Sequence, residues 1–156
     1  MNFIRASRGF TLLEMVITLI LLGVLSVFLA TRWPGEHLTI HSQAEQLLND
    51  IRYIQALAMN QNQGYLIAFS NNRYAFKTAM NLPVPHPLTG ESTIHLPQGM
   101  MIQTDRSILL FNYMGTPFVG SLDQPLTDST QITLAHGQEN KIITIYPETG
   151  YAQFQN

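Results

Sequence analysis

The two residues best spaced to bind a metal ion are His37 and His41, which lie four positions apart. On a helix this spacing places both imidazoles on one face, as in many zinc sites. Two histidines do not complete such a site, and Pro34 and Gly35 just upstream weaken the expectation of a helix there. We therefore predict surface or packing histidines and no metal site.

The other residues that could take part in catalysis are scattered along the chain. His86, His95 and His136 fall in predicted loops or beside predicted strands, where we expect ordinary surface or turn residues. Asp123 and Asp128 lie in a polar loop, where we expect water to surround them. The absence of Cys excludes thiolate metal sites and Cys nucleophiles, and no phosphate-binding glycine loop or H-E-x-x-H motif occurs. We predict that the protein is not an enzyme and binds no cofactor.

One further ionisable residue, Glu14, lies where a charge is costly. Sixteen of the 21 residues from Phe10 to Ala30 are apolar, and Glu14 is the only charged residue between Gly9 and Arg32. As a helix, this segment would span about 31 Å, which matches the roughly 30 Å hydrocarbon core of a membrane. A carboxylate deep in a bilayer costs roughly 2–3 kcal/mol or more. The sequence therefore predicts a membrane-spanning helix whose single acid needs an explanation.

Three interpretations of this segment compete. A cleaved secretory signal has an apolar region of about 7–15 residues and small residues before the cut, whereas this run is longer and Phe28 precedes the nearest candidate site, after Ala30, by three positions. A simple membrane anchor fits the length, with Glu14 as a solvated acid near the helix end. Arg5 and Arg8 then predict a cytoplasmic N-terminus. The third interpretation gives the charge a partner.

The third interpretation begins from the residues Arg8-Gly9-Phe10-Thr11-Leu12-Leu13-Glu14 and the apolar run that follows them. This pattern resembles the type III signal of type IV prepilins and type II secretion pseudopilins. The resemblance implies a leader peptide that prepilin peptidase cleaves between Gly9 and Phe10, N-methylation of Phe10, and an assembly role for Glu14. A glycine also suits the cut because it leaves the backbone accessible.

Physical chemistry offers a reason for an acid at this position. After cleavage, the amine of Phe10 would lie about one helical turn, roughly 6 Å, before Glu14. In a bundle of axially staggered helices, the carboxylate of one subunit could neutralise the amine of another, whereas a wrong register would leave both charges unpaired. A methylated secondary amine stays protonated and keeps this pair. We therefore predict that Glu14 sets subunit register and recruitment.

The rest of the chain predicts a helix followed by a β-rich head. Residues 44–59 place apolar side chains at helical spacing, with Gln55 the one polar residue inside that face. Ser42 and Glu45 could form a capping box, although the family usually has one long helix here, with Ser42 inside it. After Gly64 the hydrophobic period becomes that of strands. Predicted strands cover residues 65–70, 73–79, 93–96, 100–104, 108–111, 131–135, 141–146 and 151–154, and predicted loops cover residues 82–90 and 122–129.

These elements predict an α+β fold in which a long N-terminal helix packs on an antiparallel β-sheet head. The chain divides into a leader peptide (1–9), a transmembrane and assembly helix (10–31), a periplasmic part of the helix (32–63) and the head (64–156). The head is similar to the GspH/FimT-type domain in residues 47–58, 111–117, 132–134 and 143–150. That domain occurs in the H pseudopilin of type II secretion, in FimT-like minor pilins and in related mannose-sensitive haemagglutinin pilins.

The resemblance implies a minor pilin or pseudopilin, inserted once in the bacterial inner membrane with its N-terminus cytoplasmic and its head periplasmic. From there it would enter a periplasmic pseudopilus or a surface pilus. Its partners would be other pilins or pseudopilins, prepilin peptidase and the inner-membrane assembly machinery. Two alternatives remain open: a membrane-anchored periplasmic binding module that never polymerises, and a secreted soluble domain. We expect Gly115 and Gly150 to serve turns.

DNA is a further partner to weigh, because some FimT-like pilins take part in DNA uptake. The formal charge is −2, and loss of Arg5 and Arg8 with the leader would leave six basic and ten acidic residues. A phosphate-binding surface should be cationic, so the charge argues against nucleic acid. Arg73 and Lys77 lie on one side of a predicted strand and could form a small cationic face, although solvated charges explain them equally well.

Overall fold

The computed structural model describes residues 11–30 and 35–155, and for residues 27–30 and 35–39 it describes the backbone only. The chain divides into two compact units, Met1–Gly35 and Glu36–Asn156. The predicted leader, the cleavage site between Gly9 and Phe10, and the predicted boundary at residues 31 and 32 lie outside the described residues.

Helix α1 spans Leu12–Ala30 and belongs to the first unit. It begins after Thr11, whose side-chain oxygen Oγ1 accepts a hydrogen bond of 3.2 Å from the backbone N–H of Glu14. A Thr before the first turn and a Glu three positions later are typical of a helix start, because the carboxylate also interacts favourably with the helix dipole. The start of α1 is therefore fixed by Thr11 and Glu14, a signal that is present in the sequence.

Helix α2 spans Gly35–Gln61, so the expected capping box at Ser42 is wrong and Ser42 lies inside the helix. The one long helix that the family resemblance implied would also include residues 31–34, which lie outside the described residues. The helix ends where Asn62 takes the left-handed conformation (φ 54°) and the N–H of Gln63 donates to the carbonyl of Ala58. Asn tolerates this conformation because its short polar side chain bonds locally, so the helix ends at Asn62.

Nine strands follow α2 and form two antiparallel sheets. The first sheet has the order β3-β2-β1-β5-β6 and the second has the order β4-β7-β8-β9. The strands are β1 (Tyr65–Ser70), β2 (Arg73–Thr78), β3 (Thr93–His95), β4 (Met100–Thr104), β5 (Ile108–Phe111), β6 (Pro117–Val119), β7 (Thr130–His136), β8 (Glu139–Ile145) and β9 (Ala152–Phe154). The α+β fold class is confirmed.

Eight of these strands overlap predicted ones, and β6 was missed. Strand β6 has only three residues and begins with Pro117, which signals a turn in the sequence. It pairs with the end of β5, with Phe111 opposite Pro117. The predicted loop at residues 82–90 is confirmed as a loop, touched by one isolated bridge between Lys77 and Pro83.

The apolar face of α2 and the inward sides of both sheets form one core. The helix contributes the fully buried Leu47, Ile51 and Ile54. The first sheet contributes Ile67, Tyr74, Phe76, Leu109 and Phe111, and the second sheet contributes Ile102, Ile132, Leu134, Ile143 and Ile145. The alternation within strands explains these positions, since every second residue of a strand points to the same side.

Candidate functional site

The predicted assembly residue, Glu14, lies on a helix whose large apolar side chains are 45 to 84% exposed. The polar side chains near it have partners on the helix itself, because the hydroxyls of Thr18 and Ser26 donate to the carbonyls of Met15 and Leu22. Glu14 differs from them: its carboxylate makes no hydrogen bond or ion pair in the part of the chain that the structure describes. Among residues 11–30 and 35–155, no group therefore neutralises this carboxylate.

An apolar helix exposed on every side is expected to be covered by lipid or by other helices. Helix α1 presents such a surface in residues 12–25, which include eleven exposed large hydrophobic side chains. Across residues 11–30 and 35–155, we find no helix that is both long and apolar enough to span a membrane.

The polar residue predicted inside the apolar face of α2, Gln55, joins the helix to two distant turns. Its amide Nε2 donates to the carbonyl of Gly115 at 2.9 Å and to the carbonyl of Thr149 at 2.7 Å. Gly115 precedes β6, and Thr149 lies in the turn between β8 and β9. We call Gln55, Gly115, Thr149 and Gly150 the Gln55 cluster. It holds both sheets against the helix.

The two glycines of the Gln55 cluster serve turns, as predicted, and also allow close packing. Both have positive φ, 81° at Gly115 and 65° at Gly150. A Cβ atom on Gly150 would lie 2.6 Å from the carbonyl oxygen of Gly115 and 2.7 Å from Nε2 of Gln55. A side chain there is excluded by space as well as by conformation. Gly115 and Gly150 belong to two of the segments that resemble the GspH/FimT-type domain, residues 111–117 and 143–150. These two segments therefore meet at α2.

A buried cluster of polar side chains that the sequence did not predict joins α2 to the loop at residues 82–90. Oδ2 of Asp50 accepts a hydrogen bond of 2.5 Å from the hydroxyl of Tyr74, and Oδ1 of Asp50 lies 2.9 Å from Nε2 of His86. The three residues, which we call the Asp50 network, are all buried. The prediction that His86 is a surface or turn residue is therefore wrong with respect to burial, because only 3% of it is exposed.

The hydrogen bonds of His86 assign its tautomer. Nδ1 accepts from the backbone N–H groups of Leu88 and Thr89, at 3.2 and 3.4 Å. Nε2 must then carry a hydrogen and donate it to Asp50. A general base needs a free ring nitrogen to accept a proton, and here both nitrogens are occupied. The Asp50 network thus holds the loop in place and is not arranged as the carboxylate–histidine pair of a hydrolase.

Tyr74 is the member of this network whose acidity is shifted. Burial, reinforced by the charge of Asp50 and the hydrogen bond to it, raises the pKa of the Tyr74 hydroxyl above its ordinary value of 10.0. The hydroxyl therefore stays protonated and remains a donor to Asp50. A sequence signal for this group did exist: Asp50 lies three positions after Leu47 and four before Ile54, inside the apolar face of α2.

Among the side chains that the structure describes, the remaining histidines and acids do not come together in a cluster. His41 pairs with Glu45 at 3.3 Å on the exposed side of α2, and the side chain of His37 lies outside the described ones. His95 is exposed, as are Asp123 and Asp128, whereas His136 is half-buried. In the described ranges no group of three or more His, Cys, Asp or Glu residues could hold a metal ion.

Comparisons with known proteins bear on both units of the chain. Residues 4–30 match the family described as the prokaryotic N-terminal methylation motif. This range contains Gly9, Phe10 and Glu14. No curated protein matches the chain.

Solved structures match over most of the chain. The type IV minor pilin FimU of Pseudomonas aeruginosa PAO1 matches in two crystal forms. One has 14% identity and a TM-score of 0.59 over 78% of this chain and 91% of that chain. The other has 13% identity and a TM-score of 0.56 over 74% and 92%. The minor pseudopilin EpsH from the Type 2 Secretion System of Vibrio cholerae matches with 10% identity and a TM-score of 0.57, over 75% and 96%.

The motif covers residues 4–30, and the likeness to solved structures extends over about three quarters of the chain. Residues 4–30 of the chain carry the prokaryotic N-terminal methylation motif, and the chain has the fold of the minor pilin FimU and the minor pseudopilin EpsH.

Proposed function

We propose that this chain is a minor pilin or pseudopilin that is cleaved between Gly9 and Phe10, N-methylated at Phe10, and assembled into a filament through α1. The observation that carries the proposal is the exposed apolar surface of α1 together with the carboxylate of Glu14, which has no partner among the residues that the structure describes. Such a helix is completed by packing with others of its kind. The methylation motif over residues 4–30 and the pilin-like fold support the same assignment.

Before assembly, the protein is a single-pass protein of the bacterial inner membrane, with a cytoplasmic N-terminus and a periplasmic head. The support is the composition of residues 10–30, with sixteen apolar residues out of 21, and the positive charges of Arg5 and Arg8 on one flank. The same apolar surface then passes from lipid to the interior of the filament. Prepilin peptidase and the inner-membrane assembly machinery are the partners this route requires.

Within the filament, Glu14 neutralises the amine of Phe10 on a neighbouring subunit. Glu14 lies in the first turn of α1 and its N–H is bonded to Thr11, so the position of its backbone is fixed at the start of the helix. An axial stagger of about one turn brings the two charges together, and other staggers leave two unpaired charges in an apolar bundle. The register of the bundle follows from this pairing.

The processing step is tested by mass spectrometry of the N-terminus of the protein purified from cells with and without prepilin peptidase. With the peptidase, the chain is expected to begin at an N-methylated Phe10. Gly9→Val should retain the leader, because a branched side chain obstructs the backbone at the cut. Ala6→Val, a substitution of similar size inside the leader, serves as the matched control and should be processed normally. A wild-type chain that keeps residues 1–9 would contradict the proposal.

The assembly step is tested by the fraction of the protein found in sheared filaments. Glu14→Gln removes the charge at nearly constant size, and we expect incorporation to fall more than tenfold. Thr18→Val lies one turn further along α1 and serves as the matched control, with incorporation unchanged. If Glu14→Gln assembled as well as wild type, the charge pair would be wrong. If the wild type stayed in the membrane and never entered filaments, the chain would instead be an anchored, non-polymerising module.

The proposal covers both a type II secretion pseudopilus and a type IV pilus. Co-purification with the major subunit of one system, from cells that lack the assembly ATPase of the other, assigns the filament. We expect the processed and methylated form to be the only one that co-purifies.

A further inference from the structure

The outer face of the first sheet contains a cationic depression. Tyr74 and Phe76 of β2 are buried, so the alternate residues Arg73, Ala75 and Lys77 lie on the opposite, outer face. Together with small side chains from the neighbouring strands they line a hollow of about 310 Å³. We call this the basic hollow, and its lining residues are Ala68, Ser70, Arg73, Ala75, Lys77 and Thr93.

The register explains why the hollow is open. Ala75 lies opposite Ala68 on β1 and opposite Thr93 on β3, so three small side chains stand side by side across three strands. Arg73 and Lys77 lie four residues apart on β2, about 13 Å along the strand, one on each side of Ala75. A side chain that enters between them is flanked by two positive charges.

These two cations have little to neutralise them inside the chain. For the described residues, the guanidinium of Arg73 makes no hydrogen bond or ion pair, and Nζ of Lys77 donates to the neutral amide of Asn81 at 2.8 Å. Two other arginines are engaged: Arg52 bonds the carbonyl of Ala152, and Arg106 pairs with Asp105. The basic hollow is thus an available positive surface on a chain whose formal charge is −2.

The opposite edge of the same sheet carries negative charge. Residues 120–129, which we call the acidic loop, follow β6, and Pro125 pairs with Phe118 on the side of β6 that faces away from β5. The loop is fixed by Leu126, which is buried and whose N–H donates to the carbonyl of Pro117. Asp123 and Asp128 are exposed on this loop. The sheet therefore has a cationic face near β3 and an anionic loop beyond β6.

We propose that the basic hollow of one head binds the acidic loop of a second copy of this chain. The inference rests on the proposed function, because it supplies a head-to-head contact for the filament. The basic hollow lies on the outer face of β1, β2 and β3, and the acidic loop lies beyond β6 of the same sheet, so the contact joins unlike patches. Contacts between unlike patches do not close on themselves unless the rotation permits a ring, and they otherwise extend into a helical filament. Charges across such a contact set the register of the heads and exclude wrong partners.

The test uses disulfide cross-linking of the full chain, which has no Cys of its own. Two differently tagged copies are expressed together in cells with the assembly machinery, one with Ser70→Cys in the basic hollow and one with Gln124→Cys in the acidic loop. Under mild oxidation we expect a dimer containing both tags. The matched control replaces Ser70→Cys by Asn140→Cys, an exposed residue of the second sheet, and should give at least tenfold less adduct.

Charge reversal then tests the chemistry. Arg73→Glu with Lys77→Glu in the Ser70→Cys copy should lower the adduct about tenfold, and Asp123→Lys with Asp128→Lys in the Gln124→Cys copy should restore it. The proposal would be overturned by an adduct whose yield does not change on charge reversal, by one that contains a different subunit, or by one that disappears on nuclease treatment. So would the absence of adduct in cells where processing and Glu14-dependent incorporation are normal. That last result would leave the proposed function intact, whereas loss of both would reject the two together.

Discussion

Both helices have polar residues on an apolar surface, and they differ in where the hydrogen-bond partners of these residues lie. Helix α2 turns one apolar face to the core, and the polar residues within that face, Asp50 and Gln55, bond to the sheets of the same chain. Helix α1 exposes its apolar side chains, and its one acid, Glu14, has no such partner among the described residues. Asp50 and Gln55 of α2 thus bond within the chain, whereas Glu14 of α1 has no partner among the described residues.

This difference separates folding from assembly. A polar residue satisfied inside the chain contributes to the stability of the head, and its loss leaves buried partners unpaired. A polar residue without a partner in its own chain contributes to association instead, since only another molecule completes it. We therefore expect substitutions in the polar residues of α2 to change the unfolding of the head, and substitution of Glu14 to change incorporation into filaments.

The largest expected effect on folding is that of Asp50→Ala. It leaves the hydroxyl of Tyr74 and Nε2–H of His86 buried without an acceptor, so we expect the free energy of unfolding to fall by about 3–5 kcal/mol. Urea titration of the full chain in detergent, followed by circular dichroism, measures the change. Asp123→Ala, an exposed acid, is the control and should change stability by no more than about 0.5 kcal/mol. Equal effects at the two positions would show that the Asp50 network does not hold the head together.

The next effect concerns the contact between turns in the Gln55 cluster. Gly150→Ala adds a Cβ atom that would lie 2.6 Å from the carbonyl oxygen of Gly115, at a φ of 65°. Gly120 has a φ of 71° but nothing within 4 Å of its Cβ position, so Gly120→Ala isolates the conformational cost. We expect about 1–2 kcal/mol of destabilisation at Gly120 and at least about 2 kcal/mol more at Gly150, because overpacking adds to strain. If urea titration gave similar losses of unfolding free energy for Gly150→Ala and Gly120→Ala, the close packing around Gly150 would be contradicted.

A smaller effect is expected for Gln55→Ala, which removes the bonds to the carbonyls of Gly115 and Thr149. Each lost hydrogen bond is worth roughly 1 kcal/mol, so unfolding should become easier by about 2 kcal/mol. Gln61→Ala, at the exposed end of α2, is the matched control with little change. If Gln55→Ala left the free energy of unfolding unchanged, the hydrogen-bonded polar residues of α2 would not stabilise the head. Their contrast with Glu14 would then be wrong.

The smallest effect is the contribution of Tyr74 at alkaline pH. Because the pKa of Tyr74 is raised in the folded head, the folded and unfolded chains both keep this proton below pH 10, and above it only the unfolded chain releases it. Stability should therefore fall as the pH rises above about 10, by up to about 1.4 kcal/mol per pH unit. Tyr74→Phe should reduce this slope, while Tyr113→Phe, at an exposed tyrosine, should leave it unchanged. Identical slopes in all three proteins would reject the raised pKa.

Strands β4 and β7 could be predicted because apolar residues alternate along them, and their burial alternates with the same period of two. Strands β1, β4 and β5 have the predicted bounds, and the turn at Asn71 and Asn72 joins β1 to β2 as the sequence suggests. Gln55 was recognisable as a polar residue within an apolar face. Its two acceptors were not, because they lie 60 and 94 residues away and a local pattern carries no information about such pairs.

Other features were missed for identifiable reasons. Strand β6 depends on its neighbour β5 rather than on its own composition, and its proline favours a turn. His86 looked solvent-exposed because it lies between two prolines in a loop, yet the loop folds back so that the side chains of Val84 and His86 are both buried. Asp50 could have been noticed from its helical position, but its partners again come from elsewhere in the chain.

The side-chain hydrogen bonds of α2 join residues that are far apart in the sequence, and this separation affects how the head folds during synthesis. Arg52 bonds the carbonyl of Ala152, which is 100 residues further along the chain, and Gln55 bonds Thr149. The helix therefore leaves the ribosome long before its partners exist, and closing such distant contacts is slow. We expect nascent chains truncated before residue 147 to remain protease-sensitive and to need chaperone protection, whereas chains that include Thr149 and Ala152 should form the contacts of α2.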